Sequence, residues 1–165
     1  MTLAPEPTRV LVVGCGNLLR GDDAAGPVLV RMLADRDLPA GVRLIDGGTA
    51  GMDIAFAMRG VPTVVIVDAS RVGVEPGTIH RVPGEELVDL RPPDGNLHSF
   101  RWDQALGFAQ WLLADEYPGD VTVWLVEGQS FEHGAPLSEP VQAALDRIAD
   151  QVVAQLPEQM ARSGT

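Results

Sequence analysis

Two carboxylates and one imidazole occupy positions from which a layered α/β fold could bring them together. Asp23 follows a glycine loop after the first apolar run, Asp68 ends a run of β-branched residues, and His98 precedes an amphipathic segment. The carboxyl ends of parallel strands meet at one edge of a sheet, so distant residues can converge there. Carboxylate and imidazole donors with open positions suit a divalent transition metal. The pattern predicts a metal site, with capping or turn roles for the aspartates and a core or surface position for His98 as alternatives.

The glycine loop Gly14-Cys15-Gly16-Asn17 also matches the start of a dinucleotide-binding fingerprint. The third glycine position is Leu19, and Asp46, the acid that ends the second strand, lies farther from the loop than a ribose-binding residue usually does. Asp22 and Asp23 would also place two negative charges where a pyrophosphate binds at a helix N-terminus. Nucleotide or dinucleotide binding is therefore the weaker interpretation.

Apolar runs of strand length alternate with segments of helical spacing along the whole chain. The predicted strands are Arg9–Gly14, Val42–Asp46, Thr63–Asp68, Thr78–Val82 and Val121–Val126, and the predicted helices are Ala24–Arg36, Met52–Arg59, Phe100–Leu113 and a last helix from Ser138. Such alternation predicts a three-layer α/β/α domain with a mostly parallel sheet. We expect residues 1–165 to form a single domain with a core of about residues 9–156, flexible ends, and a frayed tail from Pro157.

The composition excludes several classes of function. The net charge is −11, and all twelve basic residues are arginine. Nucleic acid and anionic membranes are poor partners for so acidic a chain, and without lysine there is neither a P-loop lysine nor a Schiff base. The single cysteine, Cys15, cannot form an internal disulfide, and we interpret it as a buried apolar residue rather than a nucleophile. No apolar run approaches the roughly 20 residues of a membrane span, and the N-terminus lacks the charge and apolar segment of a signal peptide, so we expect a soluble, cytoplasmic protein. We also expect a monomer.

The motifs in combination resemble one known family. GCGNLLRGDDAAGP at 14–27, DGGTAG at 46–51, VDA at 67–69 and a histidine before an amphipathic helix follow in the order found in hydrogenase maturation endopeptidases. These enzymes process the large subunit of nickel–iron hydrogenases, and the resemblance extends from Arg9 to about Leu156. It implies a twisted five-stranded sheet with helices on both faces and one antiparallel strand, a role that we give to Thr78–Val82.

The same resemblance implies the chemistry of the site. The family's metal ligands correspond to Asp23, Asp68 and His98, which become the expected catalytic and metal-binding residues. The choice of Asp23 over Asp22 rests on the family pattern, and Asp22 is interpreted as a cap of the first helix. The implied reaction is metal-assisted hydrolysis that removes the C-terminal tail of a large-subunit precursor after nickel insertion. Nickel would be presented by the precursor, and zinc or cadmium could replace it in crystals. A non-catalytic, nickel-sensing assembly module is a further alternative.

Further residues are expected beside these ligands. The resemblance places the loop Gly47-Gly48-Thr49 next to the site, facing the substrate. Asn17 and Asp46 are expected to support the ligands without binding the metal themselves. Glu132 and His133, in the loop after the last strand, are expected at the rim of the site.

Overall fold

The structure, a computed structural model, describes residues 5–48, 51–87 and 102–163, with only the backbone of residues 102–105. In this part of the chain the strands are Val10–Cys15 (β1), Val42–Gly48 (β2), Thr63–Ser70 (β3), Ile79–Pro83 (β4) and Asp120–Glu127 (β5). The α-helices there are Ala25–Ala34 (α1), Gly51–Ala57 (α2), Trp102–Leu113 (α3) and Glu139–Arg162 (α4). Each predicted strand and helix is therefore present, with bounds that shift by a few residues.

The strands form one mixed sheet in the order β2-β1-β3-β5-β4. β1 pairs in parallel with β2 and β3, and β3 pairs in parallel with β5. β4 is antiparallel to β5, so the antiparallel edge strand predicted at Thr78–Val82 is confirmed. Because β1 and β3 are neighbours, their carboxyl ends lie side by side.

Helices cover both faces of the sheet. Val10 and Val12 pack with α1 and α4, whereas Leu11 and Val13, on the other face of β1, pack with α2 and α3. All four side chains are fully buried, which explains why the first strand is a continuous apolar run rather than an alternating one. The predicted three-layer α/β/α architecture is confirmed.

Gly26 lets the start of α1 lie directly against the sheet backbone. A Cβ at this position would be 2.2 Å from the carbonyl oxygen of Cys15 and 2.5 Å from that of Val67, distances at which no side chain fits. A glycine is therefore required for this close approach. As a consequence, the turn Gly21–Ala24 that precedes α1 is held at the carboxyl edge of β1 and β3.

The ends of two helices differ from the prediction. Residues Gly21–Ala24 form a 3₁₀ turn, and α1 spans only Ala25–Ala34 instead of Ala24–Arg36. The frayed tail predicted from Pro157 is wrong, because α4 continues to Arg162. Proline removes one helical donor, but Leu156 is buried and Met160 packs on the same core cluster, so burial of this face maintains the last turns. Although α4 has 24 residues, no helix in the described part of the chain is apolar enough along its length to cross a membrane.

Candidate active site

An open cavity of about 580 Å³ lies at the carboxyl edge of the sheet. Its lining comes from the segment after β1, the end of β2, the end of β3 and the loop after β5, and includes Gly16, Arg20, Asp23, Gly48, Asp68, Ser70, Arg71, Val72 and Phe131. The strand order changes direction between β1 and β3, because the chain passes from β1 to β2 on one side and from β2 to β3 on the other. Open parallel sheets bind ligands at this kind of position.

Asp23 is held by the loop that precedes it. The backbone N–H of Asn17 donates to Asp23 Oδ2 at 3.2 Å, and the N–H of Asp23 donates to the carbonyl of Arg20 at 3.0 Å. Asn17 closes its own turn by accepting the N–H of Leu19 on Oδ1 at 2.9 Å. The Asp23 side chain is partly exposed to the cavity. Asn17 therefore contacts one of the predicted ligands, through its backbone rather than its side chain.

Asp68 enters the same cavity from β3. Its side chain is 8% exposed, and Oδ1 accepts the N–H of Ala69 at 2.8 Å. In the pairing of β1 with β3, Gly14 is opposite Val67, so Asp68 lies beside the start of the loop that carries Asp23. The structure thus brings Asp23 and Asp68 to one cavity, and their role as metal ligands stays a prediction.

The predicted ligand His98 and the predicted substrate contact Thr49 lie outside the described residues. Among the residues that are described, no three His, Cys, Asp or Glu side chains are grouped closely enough to hold a metal ion. Two carboxylates on one open cavity nevertheless fit a divalent cation chemically, because carboxylate oxygen is a common ligand of such ions and further positions stay open. A complete site requires a donor in addition to Asp23 and Asp68.

Cys15 lines the cavity with a side chain that is almost entirely buried. Its side chain is 3% exposed. Burial, reinforced by the negative charges of Asp68 and Asp46, raises the pKa of the Cys15 thiol far above its ordinary value of 9.0. The thiolate is the form that attacks carbonyls, so this environment disfavours a nucleophilic role for Cys15. The interpretation of this residue as a buried apolar side chain is confirmed.

Asp46 shapes the glycine loop after β2. Its side chain is exposed, and Oδ1 accepts the N–H of Gly48 at 3.0 Å, while the carbonyl of Gly48 accepts the N–H of Gly16 at 2.9 Å. Gly48 has a φ of +51° and lines the cavity, whereas Gly47 is buried beneath it against Val13. The predicted substrate loop therefore borders the cavity at Gly48, and Asp46 contacts this loop.

Asp22 is a buried anchor, so its predicted role as a helix cap is wrong. Its side chain is 0% exposed, and its carboxylate accepts the N–H groups of Gln129 (2.7 Å), Ser130 (3.1 Å) and Ser138 (2.7 Å) and the hydroxyl of Ser138 (2.8 Å). Burial opposes ionisation, but these hydrogen bonds outweigh it and lower the pKa of Asp22 below its ordinary 3.8. Neither α1 nor the turn before it has a side-chain cap, because the carboxylate binds the distant segment 129–138 instead.

Glu127 is a second buried carboxylate, and it was not predicted. It is 2% exposed and accepts the hydroxyl of Ser70 (2.9 Å) and the N–H groups of Val72 (3.0 Å) and Gly73 (2.8 Å). Burial opposes its ionisation, but these hydrogen bonds prevail and lower the pKa of Glu127 below 4.5. It therefore holds the segment after β3 that lines the cavity. The sequence does contain a signal for Glu127: it is an acid directly after the predicted strand Val121–Val126, just as Asp68 is an acid at the end of a predicted strand.

Two arginines and a phenylalanine of the cavity were also missed. Arg20 and Arg71 line it, and the Arg71 guanidinium carbon lies 5.5 Å from the ring centroid of Phe131. Glu132 and His133, which were expected at the rim, are exposed and are not among the residues that line this cavity. Their immediate neighbour Phe131 occupies that position.

Comparison with known proteins identifies the family of this chain. The family model for hydrogenase maturation proteases matches residues 27–155. The chain belongs to the hydrogenase maturation protease family. The resemblance inferred from the sequence motifs is thereby confirmed, and the chain is a hydrolase of the maturation-endopeptidase class.

Two relatives and one solved structure illustrate the similarity of this maturation protease to known proteins. It is 34% identical over 157 residues to the hydrogenase 2 maturation protease of Escherichia coli K12, covering 91% of this chain and 92% of that one. It is 40% identical over 154 residues to the hydrogenase expression/formation protein HupD of Rhodobacter capsulatus, covering 92% of this chain and 72% of that one. The solved structure of the hydrogenase maturating endopeptidase HybD from E. coli superposes with a TM-score of 0.76 at 30% identity, covering 92% of this chain and 93% of that chain.

Proposed function

We propose that this maturation protease removes the C-terminal tail of a nickel–iron hydrogenase large-subunit precursor after nickel insertion, at the cavity that contains Asp23 and Asp68. The observation that carries the proposal is that both carboxylates line one open cavity at the carboxyl edge of β1 and β3. An open cavity at the sheet edge admits an extended chain segment. The family membership supports peptide hydrolysis as the reaction there.

Asp23 and Asp68, completed by His98, would hold the nickel ion that the precursor carries. Bound there, the ion would supply Lewis-acid polarisation of the scissile carbonyl or activation of a water molecule. The backbone N–H of Asn17 orients the Asp23 carboxylate, and Gly48, held by the Asp46 carboxylate, borders the space into which the substrate would enter.

The donor set favours recognition of an ion that the precursor brings over permanent storage of a metal. Two carboxylates and one imidazole leave coordination positions open and include no thiolate. Cysteine thiolates of a precursor would hold nickel more tightly than this set. We therefore expect the purified protein to be largely metal-free, and the tail to remain until nickel is in place.

The test is an in-vitro processing assay with chelator-stripped protease and defined precursor. Apo and nickel-loaded precursor are incubated with equal amounts of protease, and the mass of the intact large subunit is followed by mass spectrometry. Loss of the C-terminal tail is expected only with the nickel-loaded precursor. Efficient cleavage of the stripped precursor would contradict nickel-dependent processing. Nickel-dependent binding without any cleavage would favour the non-catalytic sensing module instead.

A further inference from the structure

We propose that Arg20 and Arg71 form a carboxylate-binding subsite at the mouth of the cavity, which binds an acidic group of the polypeptide that this protease cleaves. The identity of the polypeptide rests on the proposed function, whereas the subsite itself does not. The two side chains come from different parts of the sequence, one from the segment after β1 and one from the segment after β3, and both line the same cavity.

Neither guanidinium group is neutralised by a carboxylate in the part of the chain that the structure describes. Within residues 5–48, 51–87 and 102–163, the ion pairs with nitrogen–oxygen distances up to 4.0 Å are Arg36–Asp150 and Arg162–Glu158. Arg20 and Arg71 therefore form no ion pair with Asp23 or Asp68, although they share a cavity with them. The chain has a net charge of −11, yet these two exposed side chains at one cavity are both positively charged.

Arg71 is held in a defined position by groups on both sides of it. Glu127 accepts the hydroxyl of Ser70 and the N–H of Val72, so the residues that flank Arg71 are bound to a buried carboxylate. The guanidinium carbon itself lies 5.5 Å from the ring centroid of Phe131. A cation–π contact with the ring occupies one side of the guanidinium group, and the N–H groups that do not point at the ring can still donate to an acceptor.

Arg20 lies on a segment that is equally constrained. Its carbonyl accepts the N–H of Asp23 at 3.0 Å, and the next residue, Gly21, has a φ of +52°. A Cβ at Gly21 would lie 2.4 Å from the carbonyl oxygen of Ser130, so the two segments are in direct backbone contact. Ser130 is bound in turn to the buried carboxylate of Asp22. Two buried carboxylates that do not line the cavity thus fix both arginine-bearing segments.

A carboxylate is the ligand that this arrangement suits best. A guanidinium group presents parallel N–H donors whose spacing matches the two oxygens of a carboxylate. Because the backbone that carries both arginines is already fixed, less ordering entropy is lost when the ligand binds. In a polypeptide, the ligand group is either an Asp or Glu side chain or the C-terminal α-carboxylate, and the chemistry is the same for both.

Nuclear magnetic resonance of the arginine Nε–H groups tests the subsite without any cleavage. The probes are N-acetyl-glutamate N-methylamide, N-acetyl-glutamine with a free α-carboxylate, and N-acetyl-glutamine N-methylamide, which carries no charge. We expect the Arg20 and Arg71 signals to shift with a charged probe and not with the neutral one. The first two probes distinguish a side-chain carboxylate from an α-carboxylate. Arg81 is the matched control: it is also exposed, and its guanidinium carbon lies over the Trp124 ring at 5.4 Å from the centroid, but it does not line the cavity.

Equal shifts with the neutral probe, or equal shifts at Arg81, would overturn the proposal. A second experiment measures processing kinetics of nickel-loaded precursor with Arg20→Gln, Arg71→Gln and Arg81→Gln. We expect each of the first two substitutions to raise KM about 3- to 10-fold with kcat within about twofold, and to weaken the dependence of KM on salt. Arg→Lys at the same positions should restore only part of the affinity, because lysine keeps the positive charge but lacks the parallel N–H donors of the guanidinium group.

The two experiments separate failure of the subsite from failure of the proposed function. If the wild-type protein processes the precursor and the KM values of Arg20→Gln and Arg71→Gln match that of Arg81→Gln, the subsite is wrong and the function stands. If the precursor is not processed but the charged probes shift the Arg20 and Arg71 signals selectively, the function is wrong and the subsite stands.

Discussion

Asp22 and Asp23 are adjacent in the sequence and have different surroundings in the structure. Asp22 is 0% exposed and accepts four hydrogen bonds, while Asp23 is partly exposed, lines the cavity and accepts the N–H of Asn17 on Oδ2. Spacing alone could not separate them, because the partners of Asp22 lie more than a hundred residues away along the chain. The family pattern selected Asp23, and the burial of Asp22 agrees with that choice.

The first prediction compares Asp22→Asn with Asp23→Asn in thermal and denaturant unfolding. An amide at position 22 places its NH₂ group against buried donors, so we expect a loss of about 3–5 kcal/mol in the free energy of unfolding. Asp23→Asn should change it by less than about 1 kcal/mol, because the side chain is partly exposed and its hydrogen bond from Asn17 can be kept by the amide oxygen. A larger destabilisation by Asp23→Asn would contradict the assignment of Asp22 as the anchor.

At the scale of secondary-structure elements, the loop after β1 depends on Gly16. This residue has a φ of +130°, and a Cβ would lie 1.9 Å from the carbonyl oxygen of Asp23. The loop can therefore fold back on the 3₁₀ turn only where a glycine stands. The two glycines of the motif, first considered as part of a dinucleotide fingerprint, instead allow close backbone packing, Gly16 against Asp23 and Gly14 against Gly26 of α1.

The second prediction compares Gly16→Ala with Gly60→Ala. Gly60 also has a positive φ, +68°, but a Cβ there would meet no atom of the described residues within 4 Å, so its substitution measures backbone strain alone. We expect Gly60→Ala to cost about 1–2 kcal/mol and Gly16→Ala at least about 3 kcal/mol, because the steric overlap adds to the strain. Chemical denaturation of both variants measures the difference. Equal losses would show that the packing of this loop against Asp23 is not tight.

Local patterns predicted the elements well, and long-range contacts explain where they failed. The runs of β-branched residues identified β3 and β5, because a buried parallel strand is apolar on both faces. The 3₁₀ turn Gly21–Ala24 was missed because Asp22 binds the remote segment 129–138. The continuation of α4 past Pro157 was missed because Leu156 is buried against the core. Neither contact has a local signature.

At the scale of the whole molecule, the two buried carboxylates link stability to pH. Burial opposes the ionisation of Asp22 and Glu127, but their hydrogen bonds prevail, so their pKa values in the folded state lie below the ordinary 3.8 and 4.5. A group with a lowered folded-state pKa binds protons more readily in the unfolded chain. The stability that it contributes is therefore complete above its unfolded pKa and is lost as the pH falls through its folded pKa.

The third prediction follows from this linkage. The free energy of unfolding of the wild-type protein should fall steeply as the pH is lowered below about 4.5, and Glu127→Gln should reduce the steepness, because one such carboxylate no longer titrates. Glu158→Gln is the control, since that side chain is 75% exposed in a surface pair with Arg162. Urea unfolding between about pH 3 and pH 7 measures all three proteins. An identical pH profile for wild type and Glu127→Gln would contradict the role given to Glu127.

The part of the candidate site that follows from the order of the strands could be predicted from the sequence. Asp68 follows a strand that had to be central, and Asp23 follows its neighbour, so their meeting at one cavity could be inferred from the sequence. The contact between Arg71 and Phe131 could not be inferred, because their segments are positioned by the long-range hydrogen bonds of Glu127 and Asp22. His98, whose ligand role came from the family resemblance, lies outside the described residues.

The proteolysis proposed for this cavity requires its two carboxylates, and the intact mass of nickel-loaded precursor after incubation with matched variants tests that requirement. Asp23→Asn and Asp68→Asn should leave the C-terminal tail in place while their folded structure, monitored by circular dichroism, stays that of the wild type. Asp35→Asn, at an exposed position just after α1, should process the precursor at the wild-type rate. Tail removal by Asp23→Asn and Asp68→Asn at the rate of Asp35→Asn would show that these carboxylates are not required for the reaction.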